Sequence, residues 1–420
     1  MDTFKIITLG CKVNQYEGQG LRQSLLDAGL SEACGNGPPS VVVVNTCCVT
    51  GEAARQSRQA VRKALGASRV YVTGCYAHPS ACDDALRAIP VLVEADKAVL
   101  LKAVADEAGV DLPDAAAGVS EFGGHTRAFV KVQDGCNAGC SYCIVCRVRP
   151  DLCSRPVDEI IAEVRRLSRR HREIVICGIH LGKYGIDLDD KIDLAALVRR
   201  LLDVPELGRI RLSSIDPLEV TDELLGLMAD CPDRLCPHLH LPLQSGDDDV
   251  LERMQRPYRS AGFLDVVRRA RSRIERLSIS TDVMLGFPGE TEAAFENTVR
   301  VCREAGFSRI HIFPFSPRPG TPAASMDDKV PADVVKPRCR RLADVAEEIA
   351  RSYRASLIGT RARLLIETAG GGMAEGLSER YIRVLVAAGA EIGKGEFIDA
   401  HLTGITHEGM AGQCAARARV

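Results

Sequence analysis

Residues 128–143 read AFVKVQDGCNAGCSYC, an apolar strand followed at once by a loop that contains three cysteines. The cysteines, Cys136, Cys140 and Cys143, have C-x3-C-x2-C spacing and are called the loop triad below. Three thiolates can hold three irons of a [4Fe–4S] cluster and leave the fourth iron open for a chelating ligand, because iron in such clusters prefers sulfur ligands. The spacing therefore predicts an iron–sulfur site at the end of this strand.

Two other interpretations of these cysteines stay open. Zinc with a fourth ligand elsewhere, or buried free cysteine, would use the same residue types, although zinc sites more often pair two C-x2-C units. Cys140, Cys143 and Cys146 also form C-x2-C-x2-C, the beginning of a bacterial ferredoxin run that continues with cysteine and proline. Pro150 is present without that cysteine, so spacing alone does not decide which three thiolates bind.

Strand and helix patterns alternate downstream of the loop. Besides the strand at 128–132, strands are predicted at 174–177, 210–212, 238–243, 277–284 and 310–315, with helices between them. Six βα units over about 200 residues are too few for a full eight-unit barrel. We therefore predict a partial (βα)6 barrel.

The first 110 residues show the same alternation. Strands predicted at 4–9, 41–44 and 70–73 alternate with helices, which is typical of a doubly wound parallel sheet in an α/β protein. Cys11, Cys47 and Cys75, called the strand-end triad below, each follow the carboxyl end of one strand, and ligands bind at that edge. One such cysteine is most simply a small buried residue, but three at equivalent positions favour a second metal cluster.

The remaining segments complete the domain organisation. Residues 107–126 are small and polar and are predicted to be a linker. A long helix over 332–358 leads to residues 359–420, whose three consecutive glycines and alternating strands predict a small antiparallel β-barrel. The predicted domains are 1–110, 127–358 and 359–420.

Composition limits the class of protein. The chain has 420 residues, 17 of them cysteine, with 46% hydrophobic and 26% charged residues, which excludes a disordered or fibrous chain. The formal net charge of −2 does not indicate a nucleic-acid-binding protein. Neither a membrane-length apolar run nor a signal peptide is visible, so we expect no membrane partner. We expect a cytoplasmic protein, since cysteine clusters in that reducing compartment are more often metal or redox sites than disulfides.

Further segments, together with both triads, resemble the radical S-adenosylmethionine (SAM) methylthiotransferases over nearly the whole chain. The C-terminal module is similar to the family's RNA-binding TRAM domain, and LGCKVNQYE and GIHLGKYG look most like the subgroup acting on N6-threonylcarbamoyladenosine in tRNA. The segments are TLGCKVNQY (8–16), NTC (45–47), GC (74–75), QDGC (133–136), GIHLGKYG (178–185), LSSIDP (212–217), HLPLQSG (240–246), DVMLGFPGE (282–290) and SPRPGTP (316–322).

The resemblance implies two [4Fe–4S] clusters, SAM, an external electron donor and a tRNA anticodon loop as partners, and no stable protein partner. The cluster on the loop triad would bind and cleave SAM, and the resulting 5′-deoxyadenosyl radical would take hydrogen from C2 of the adenine. The cluster on the strand-end triad would deliver a sulfur that is already methylated. Position 37 lies in a single-stranded loop, the kind of RNA that sequence-specific proteins recognise.

The resemblance also implies SAM-contacting residues on the loops that follow the strands, where barrels bind ligands. Gly178 and Gly286 would let the backbone approach SAM, or are simple turn glycines. Tyr142 would pack near the adenine of SAM. The polar candidates also have common structural roles in turns, caps and loops; they are His180, Ser214, Gln244 and Asp282.

The chain departs from the family pattern near the loop triad. Cys146 stands where the family has proline and Pro150 where it has glycine, while Cys48 and Cys153 are additional cysteines. We interpret the three cysteines as replacements for small residues, with an alternative ligand as the second interpretation.

RNA contacts are predicted for arginines near the loop triad and around the long helix. Such residues contact phosphates in RNA-binding proteins, but arginines on a helix are more often a solvated face. They are Arg147, Arg149, Arg155, Arg338, Arg340, Arg341, Arg351 and Arg354.

The sequence thus predicts an enzyme that adds a methylthio group to C2 of N6-threonylcarbamoyladenosine at position 37 of tRNA. Isopentenyladenosine in tRNA, or an aspartate of a ribosomal protein, is the alternative substrate of the same chemistry. A non-catalytic iron–sulfur protein that binds RNA or transfers electrons is disfavoured, because neither role needs a cofactor-binding barrel.

Overall fold

The computed structural model describes residues 3–33, 37–112, 118–387 and 392–415. These residues form an α/β sheet unit, a central barrel and a small closed β-barrel, in that order along the chain. The predicted linker at 107–126 is described only in part, because 113–117 lie outside the described residues and 107–108 belong to a helix. No described helix combines the length and apolar character needed to cross a membrane.

The first unit is a parallel five-stranded sheet with helices. Its elements are β1 (Thr3–Thr8), α1 (Lys12–Asp27), β2 (Ser31–Glu32), β3 (Val41–Thr46), α2 (Gly51–Ala64), β4 (Arg69–Gly74), α3 (Asp84–Arg87), β5 (Leu92–Val93) and α4 (Lys97–Ala108). The strand order β2-β1-β3-β4-β5 confirms the predicted doubly wound sheet. The order reverses between β1 and β3, where such sheets form a ligand-binding crevice.

The central unit is the predicted partial barrel. Six parallel strands, β6 and β8 to β12, lie in two sheets that single bridges between β9 and β10 connect. Among the described residues the two sheets end at β7 and β12, so the barrel is open between them. The elements are β6 (Arg127–Asp134), α5 (Val145–Val148), β7 (Cys153–Ser154), α6 (Val157–Ser168), β8 (Glu173–Gly178), α7 (Leu194–Leu202), β9 (Arg209–Leu212), α8 (Asp222–Asp230), β10 (His238–His240), α9 (Asp248–Arg253), α10 (Ser260–Arg273), β11 (Ser278–Leu285), α11 (Glu292–Ala305), β12 (Arg309–Pro314) and α12 (Ala332–Ala355).

The C-terminal unit is a closed five-stranded barrel, as predicted. Its strands are β13 (Arg361–Gly370), β14 (Met373–Ser378), β15 (Arg383–Ala387), β16 (Phe397–Ile405) and β17 (Met410–Cys414). Four of its five pairings are antiparallel, and the pairing of β15 with β17 is parallel, which corrects the prediction of a wholly antiparallel barrel. The reason is geometric, because strand directions cannot alternate all the way around a ring with an odd number of strands.

A buried ion network joins the central barrel to the C-terminal module. Glu173 of β8 accepts from Arg209 Nε at 2.6 Å and from Arg211 Nε at 2.8 Å, and all three side chains are almost wholly buried. The remaining guanidinium N–H groups donate to backbone carbonyls of the C-terminal module, those of Arg363, Leu377, Ser378 and Glu379. Such full hydrogen bonding is what a buried charge network needs to be stable.

We expect Glu173→Gln to destabilise the fold by about 3 kcal/mol at pH 7. Burial alone raises the pKa of Glu173, but the charges of Arg209 and Arg211 outweigh it and lower this pKa from 4.5 to about 2. A depressed folded-state pKa stabilises the fold above pH 4.5, and this contribution is lost as the pH falls towards 2. Urea unfolding of the wild-type protein and of Glu173→Gln at pH 7 and at pH 3 measures the loss of unfolding free energy. The loss should be smaller at pH 3, and an equal loss at the two pH values would contradict the prediction.

Candidate active site

The loop triad follows β6 and lines a cavity of about 310 Å³ at the carboxyl ends of the barrel strands. Barrel enzymes bind their ligands at this face. The same cavity is lined by five of the residues predicted to contact SAM, which are Tyr142, His180, Ser214, Gln244 and Asp282. The fold therefore brings these sequence-based candidates together around one space.

The two predicted glycines lie beside this cavity, not among the residues that line it. A Cβ at Gly178 would lie 2.9 Å from Gln133 Oε1, and one at Gly286 would lie 2.4 Å from a methyl carbon of Val335. Both positions therefore need glycine for packing against other parts of the protein. Their role in the approach of SAM stays a prediction.

One histidine pairs with a sulfur of the loop triad. His180 Nδ1 lies 3.4 Å from Cys136 Sγ, and its Nε2 lies 2.9 Å from a carboxylate oxygen of Glu219. Burial disfavours the charged ring, but these two partners outweigh it and raise the pKa of His180 to about 10. Burial likewise opposes the Cys136 thiolate, whose pKa the His180 hydrogen bond nevertheless lowers. The deprotonated sulfur is the form that binds metal.

An arginine that the sequence analysis did not single out pairs with a second sulfur. Arg256 Nη1 donates to Cys140 Sγ at 3.3 Å, and Arg256 also forms an ion pair with Asp216. Both Asp216 and Arg256 line the cavity. Asp216 lies inside a quoted motif, whereas Arg256 is 116 residues from the cysteine that it contacts, and no local pattern marks it.

The side chain of Gln244 leaves a polar atom without a partner in this cavity. Its Oε1 is buried and makes no hydrogen bond, and its backbone has a φ of 63°, which a side-chain-bearing residue adopts only at a cost. An unpaired buried oxygen costs about 1–3 kcal/mol, so a donor group on a ligand would relieve it. Three thiolates and such an oxygen fit a [4Fe–4S] cluster with SAM at its open iron.

The additional cysteines are not among the residues that line the cavity. Cys146 Sγ donates to the backbone carbonyl of Cys143 at 3.2 Å and is not among the lining residues. Cys153 is exposed on β7, and Cys48 is fully buried in an apolar core. These positions favour the interpretation of all three as small-residue replacements.

The strand-end triad converges at the crevice of the first sheet. Cys47 and Cys75 are buried, and Cys11 begins α1. A Cβ on the neighbouring Gly10 would lie 2.9 Å from Cys47 Sγ. Burial raises the pKa of the Cys47 thiol to about 11, and the nearby sulfurs of Cys75 and Cys11 add to this shift. Three cysteines from separate strands are therefore neighbours, in the arrangement that the strand-end positions predict.

Two asparagines hold the strand ends beside this triad. Asn14 Nδ2 donates to the carbonyls of Leu9 at 3.0 Å and Thr46 at 2.8 Å, and Asn45 Nδ2 donates to the carbonyl of Asn14 at 2.8 Å. Gly74 has a φ of 90°, and a Cβ there would lie 2.5 Å from the Thr46 carbonyl oxygen, so only glycine fits. Asn14 and Asn45 stand in the quoted motifs, but no role was predicted for them.

The first unit also forms part of the wall of the cavity beside the loop triad. Val49 and Thr50, which follow the strand-end cysteine Cys47, line this cavity. The next residue, Gly51, donates its backbone N–H to Ser316 Oγ at 2.8 Å, and Ser316 lines the cavity too. Residues that closely follow Cys47 therefore form part of the wall of the cavity that the loop triad lines, while the strand-end cysteines themselves are not among its lining residues.

Comparison with protein families agrees with this geometry. Residues 130–302 match the Radical SAM superfamily, and residues 3–93 match a family described as Uncharacterized protein family UPF0004. The first match contains the loop triad, and the second contains the strand-end triad.

Several well-described proteins are similar over most of the chain. The threonylcarbamoyladenosine tRNA methylthiotransferase MtaB of Chlamydia pneumoniae is 34% identical over 98% of both chains. MtaB of Thermotoga maritima is 35% identical over 98% of this chain and 96% of its own. The tRNA-2-methylthio-N(6)-dimethylallyladenosine synthase of Acidothermus cellulolyticus is also 35% identical, over 87% of this chain and 77% of its own.

Solved structures share the fold. The radical SAM methyltransferase TsrM of Kitasatospora setae matches with a TM-score of 0.53 and 15% identity over 77% of both chains. The cobalamin-dependent radical SAM enzyme OxsB matches with a TM-score of 0.52 and 10% identity over 83% of this chain and 56% of its own. The chain belongs to the radical SAM tRNA methylthiotransferases, enzymes that use a [4Fe–4S] cluster and SAM and take tRNA as substrate.

Proposed function

We propose that the chain adds a methylthio group to C2 of N6-threonylcarbamoyladenosine at position 37, in the anticodon loop of tRNA. The MtaB relatives carry this nucleoside in their names, but a relative named for dimethylallyladenosine has nearly the same percentage identity over a smaller share of the chain. Sequence identity alone therefore leaves two candidate substrates, which differ in the group on N6 of the adenosine. One group, threonylcarbamoyl, is polar, and the other, dimethylallyl, is a hydrocarbon. The polarity of the barrel interior favours the polar substituent.

We call the cavity that the loop triad lines the SAM cavity. The inner face of the barrel next to it carries polar side chains. His238 Nε2 lies 3.0 Å from Ser280 Oγ, which lies 2.9 Å from His240 Nδ1. His240 Nε2 in turn lies 3.3 Å from a carboxylate oxygen of Asp282, which lines the cavity. One ring nitrogen each of His240 and His311 and one carboxylate oxygen of Asp282 lie within 4.8 Å of one another. Bulky branched residues usually fill such barrels.

This polar interior is the observation that carries the choice of substrate. The threonylcarbamoyl group offers N–H donors, a hydroxyl and a carboxylate to these side chains, and His238 Nδ1 is buried without a partner. A dimethylallyl group would leave this nitrogen unpaired, which costs binding energy. Sites built around hydrogen bonds reject ligands that lack the matching groups by large factors.

The proposed cofactor sites follow from the two triads. Cys136, Cys140 and Cys143 would hold the SAM-binding cluster, and the strand-end triad would hold a second [4Fe–4S] cluster. The two clusters and SAM, reduced by an external donor, supply the hydrogen abstraction and the sulfur transfer. The chain positions these groups and the nucleoside around one cavity and limits the access of water.

Among the SAM contacts that we propose, Gln244 Oε1 has a clear task, to accept a hydrogen bond from the amino group of SAM. Tyr142, from the loop between two ligands, would lie along the SAM adenine, and its ring already packs edge-on to Phe287. The remaining proposed contacts are Gly178, His180, Ser214, Asp282 and Gly286.

We further propose that the nucleotide enters at the open side of the barrel. A cleft of about 690 Å³ lies there, lined by residues of β6, β12, α12 and the C-terminal module, including Arg127, Arg309 and Tyr381. His238 and Ser280 line this cleft as well, and their contacts continue through His240 to Asp282, which lines the cavity beside the loop triad. The C-terminal module, residues 359–420, would bind RNA beside this entrance. Because the relatives modify tRNA, we propose that the reaction takes place in the cytoplasm.

Most of the arginines predicted to contact RNA have hydrogen-bond or ion-pair partners within the protein. Arg338 is buried and pairs with Glu290 at 2.7 Å, and the other arginines of this group bind acidic residues or carbonyls within the protein. Arg149, Arg155 and Arg354 are poorly exposed as well and pair with acidic residues. Arg147 and Arg341 are exposed, with partners at Gly320 and Glu296. Arg340 and Arg351 are exposed and stay candidates.

We expect the reconstituted enzyme to methylthiolate an anticodon stem-loop that carries N6-threonylcarbamoyladenosine. With a stem-loop carrying dimethylallyladenosine, the rate per unit concentration should fall by about a hundredfold or more, because the polar interior loses its partners. Mass spectrometry of the digested nucleosides measures both products, and an unmodified adenosine stem-loop serves as the control.

Three outcomes would overturn this assignment. Preferred modification of the dimethylallyl stem-loop would establish the other nucleoside as substrate. Unchanged tRNA in a deletion strain, together with an altered ribosomal protein, would transfer the activity to an aspartate. A non-catalytic role predicts no 5′-deoxyadenosine when the reduced protein is incubated with SAM.

A further inference from the structure

One residue contacts both cysteine triads. Arg149 lies directly after the short helix α5 that follows the loop triad, and its side chain is 11% exposed. Its backbone carbonyl accepts the N–H of Cys136 at 2.9 Å. Its side-chain Nε donates to Cys75 Sγ at 3.4 Å. A single arginine thus connects a cysteine of the central barrel with a cysteine of the first unit.

The rest of the Arg149 guanidinium is fixed by acceptors. Its two terminal nitrogens each donate to Glu17 at 2.8 Å, and one of them also donates to Asp134 at 2.8 Å. The other lies 3.3 Å from Asn14 Oδ1, on the side chain that ties the ends of β1 and β3 together. The planar fork is therefore held from several sides, which leaves Nε aimed at the sulfur of Cys75.

The charges around this contact leave an excess of positive charge. Glu17 also pairs with Lys97 and with Lys131, each at 2.9 Å, and Lys131 pairs with Asp134 at 2.9 Å. Three cations, including Arg149, thus face two carboxylates. The carboxylates hold the arginine in place without cancelling the positive charge that it directs at the sulfur.

The local sequence explains why the backbone can serve the other triad. Pro150 disfavours a helical conformation at Arg149, and α5 ends at Val148. The backbone at Arg149 has a φ of −145° and a ψ of 67°, so its carbonyl leaves the helix and meets Cys136. The proline that departs from the family pattern is therefore compatible with this contact.

We propose that Arg149 is a positioning residue that fixes the two triads relative to each other and raises the reduction potential of the cluster at Cys75. Hydrogen bonds to cluster sulfurs, and nearby positive charge, stabilise the reduced state of an iron–sulfur cluster. The Cys136 contact uses the backbone and survives substitution of the side chain, so only the cluster of the strand-end triad responds. The proposal rests on the second cluster proposed above.

The test uses the full chain with Cys136, Cys140 and Cys143 replaced by alanine, so that iron binds only at the strand-end triad. After reconstitution with iron and sulfide, a potentiometric titration followed by electron paramagnetic resonance gives the reduction potential. We expect Arg149→Met to lower the equilibrium constant for reduction about tenfold, which is about 59 mV for one electron. Arg147→Met is the control, because Arg147 is an exposed arginine of α5 that donates to the Gly320 carbonyl. This variant should leave the reduction potential unchanged.

Arg149→Lys keeps the charge and the pairing with Glu17, but one ammonium cannot also reach Cys75 in the geometry of the fork. We expect Arg149→Lys to lower the reduction potential by part of the amount expected for Arg149→Met. This second variant still tests the proposal if Arg149→Met fails to fold. In the complementary chain, with alanine at the strand-end triad, Arg149→Met should leave the potential of the remaining cluster unchanged.

Iron bound by the strand-end triad with an unaltered potential in both Arg149 variants would overturn the role of Arg149 alone. An equal shift of both clusters would also overturn it, since that indicates a general change of structure. Absence of iron from the strand-end triad would overturn the second cluster, and the role of Arg149 with it.

Discussion

Cys140→Ala is expected to reduce the cleavage of SAM to background. Cys140 is the most buried cysteine of the loop triad, it lines the cavity proposed to bind SAM, and Arg256 donates to its sulfur. Without this thiolate, two sulfurs remain to hold a cluster that needs three protein ligands and one open iron. The measurement is the amount of 5′-deoxyadenosine formed from SAM by the anaerobically reconstituted, chemically reduced enzyme.

Cys146→Ala is the matched control for this experiment, because Cys146 lies in the same loop and would be a ligand in the ferredoxin-like spacing. Its S–H donates to a backbone carbonyl and it is not among the cavity-lining residues, so the variant should keep most of its cleavage activity. Loss of cleavage in Cys146→Ala, with activity retained in Cys136→Ala, would establish Cys140, Cys143 and Cys146 as the ligands instead.

The order and type of most elements could be predicted from sequence, because the apolar strands of a parallel sheet are continuous and the helices between them are amphipathic. The predicted strand 238–243 ends earlier, at His240, because Pro242 has no N–H and the chain there turns into the cavity wall. The strand Met373–Ser378 was not predicted. Its Gly376 lacks a strand-forming side chain, and a Cβ there would lie 2.8 Å from the Leu365 carbonyl oxygen.

The candidate site divides in the same way. Cysteine positions after strands could be predicted to converge, because parallel strands place their carboxyl ends at one edge. The side chains that donate to the sulfurs could not be predicted in this way. Arg149 and Arg256 contact cysteines that are 74 and 116 residues away in sequence, and only the packing of the folded chain brings each arginine to its cysteine. The same holds for the barrel interior, where the polarity of His238 and Ser280 has meaning only once their strands are neighbours.

A chain with Cys11→Ala is expected to keep the cleavage of SAM and to lose methylthio transfer. Cys11 belongs to the first unit and is not among the residues that line the SAM cavity, whereas the loop triad and its partners His180 and Arg256 stay intact. The variant should form 5′-deoxyadenosine within a fewfold of the wild-type rate. Its methylthiolated nucleoside should fall to background, as measured by mass spectrometry of the same reaction.

Cys48→Ala provides the comparison within the same unit, since Cys48 is adjacent to the proposed ligand Cys47 but fully buried in an apolar core. It should retain both activities, at a small cost in stability for the lost sulfur atom. Loss of SAM cleavage in Cys11→Ala would contradict the division of labour between the triads. Methylthio transfer by Cys11→Ala would show that the sulfur does not come from a cluster on the strand-end triad.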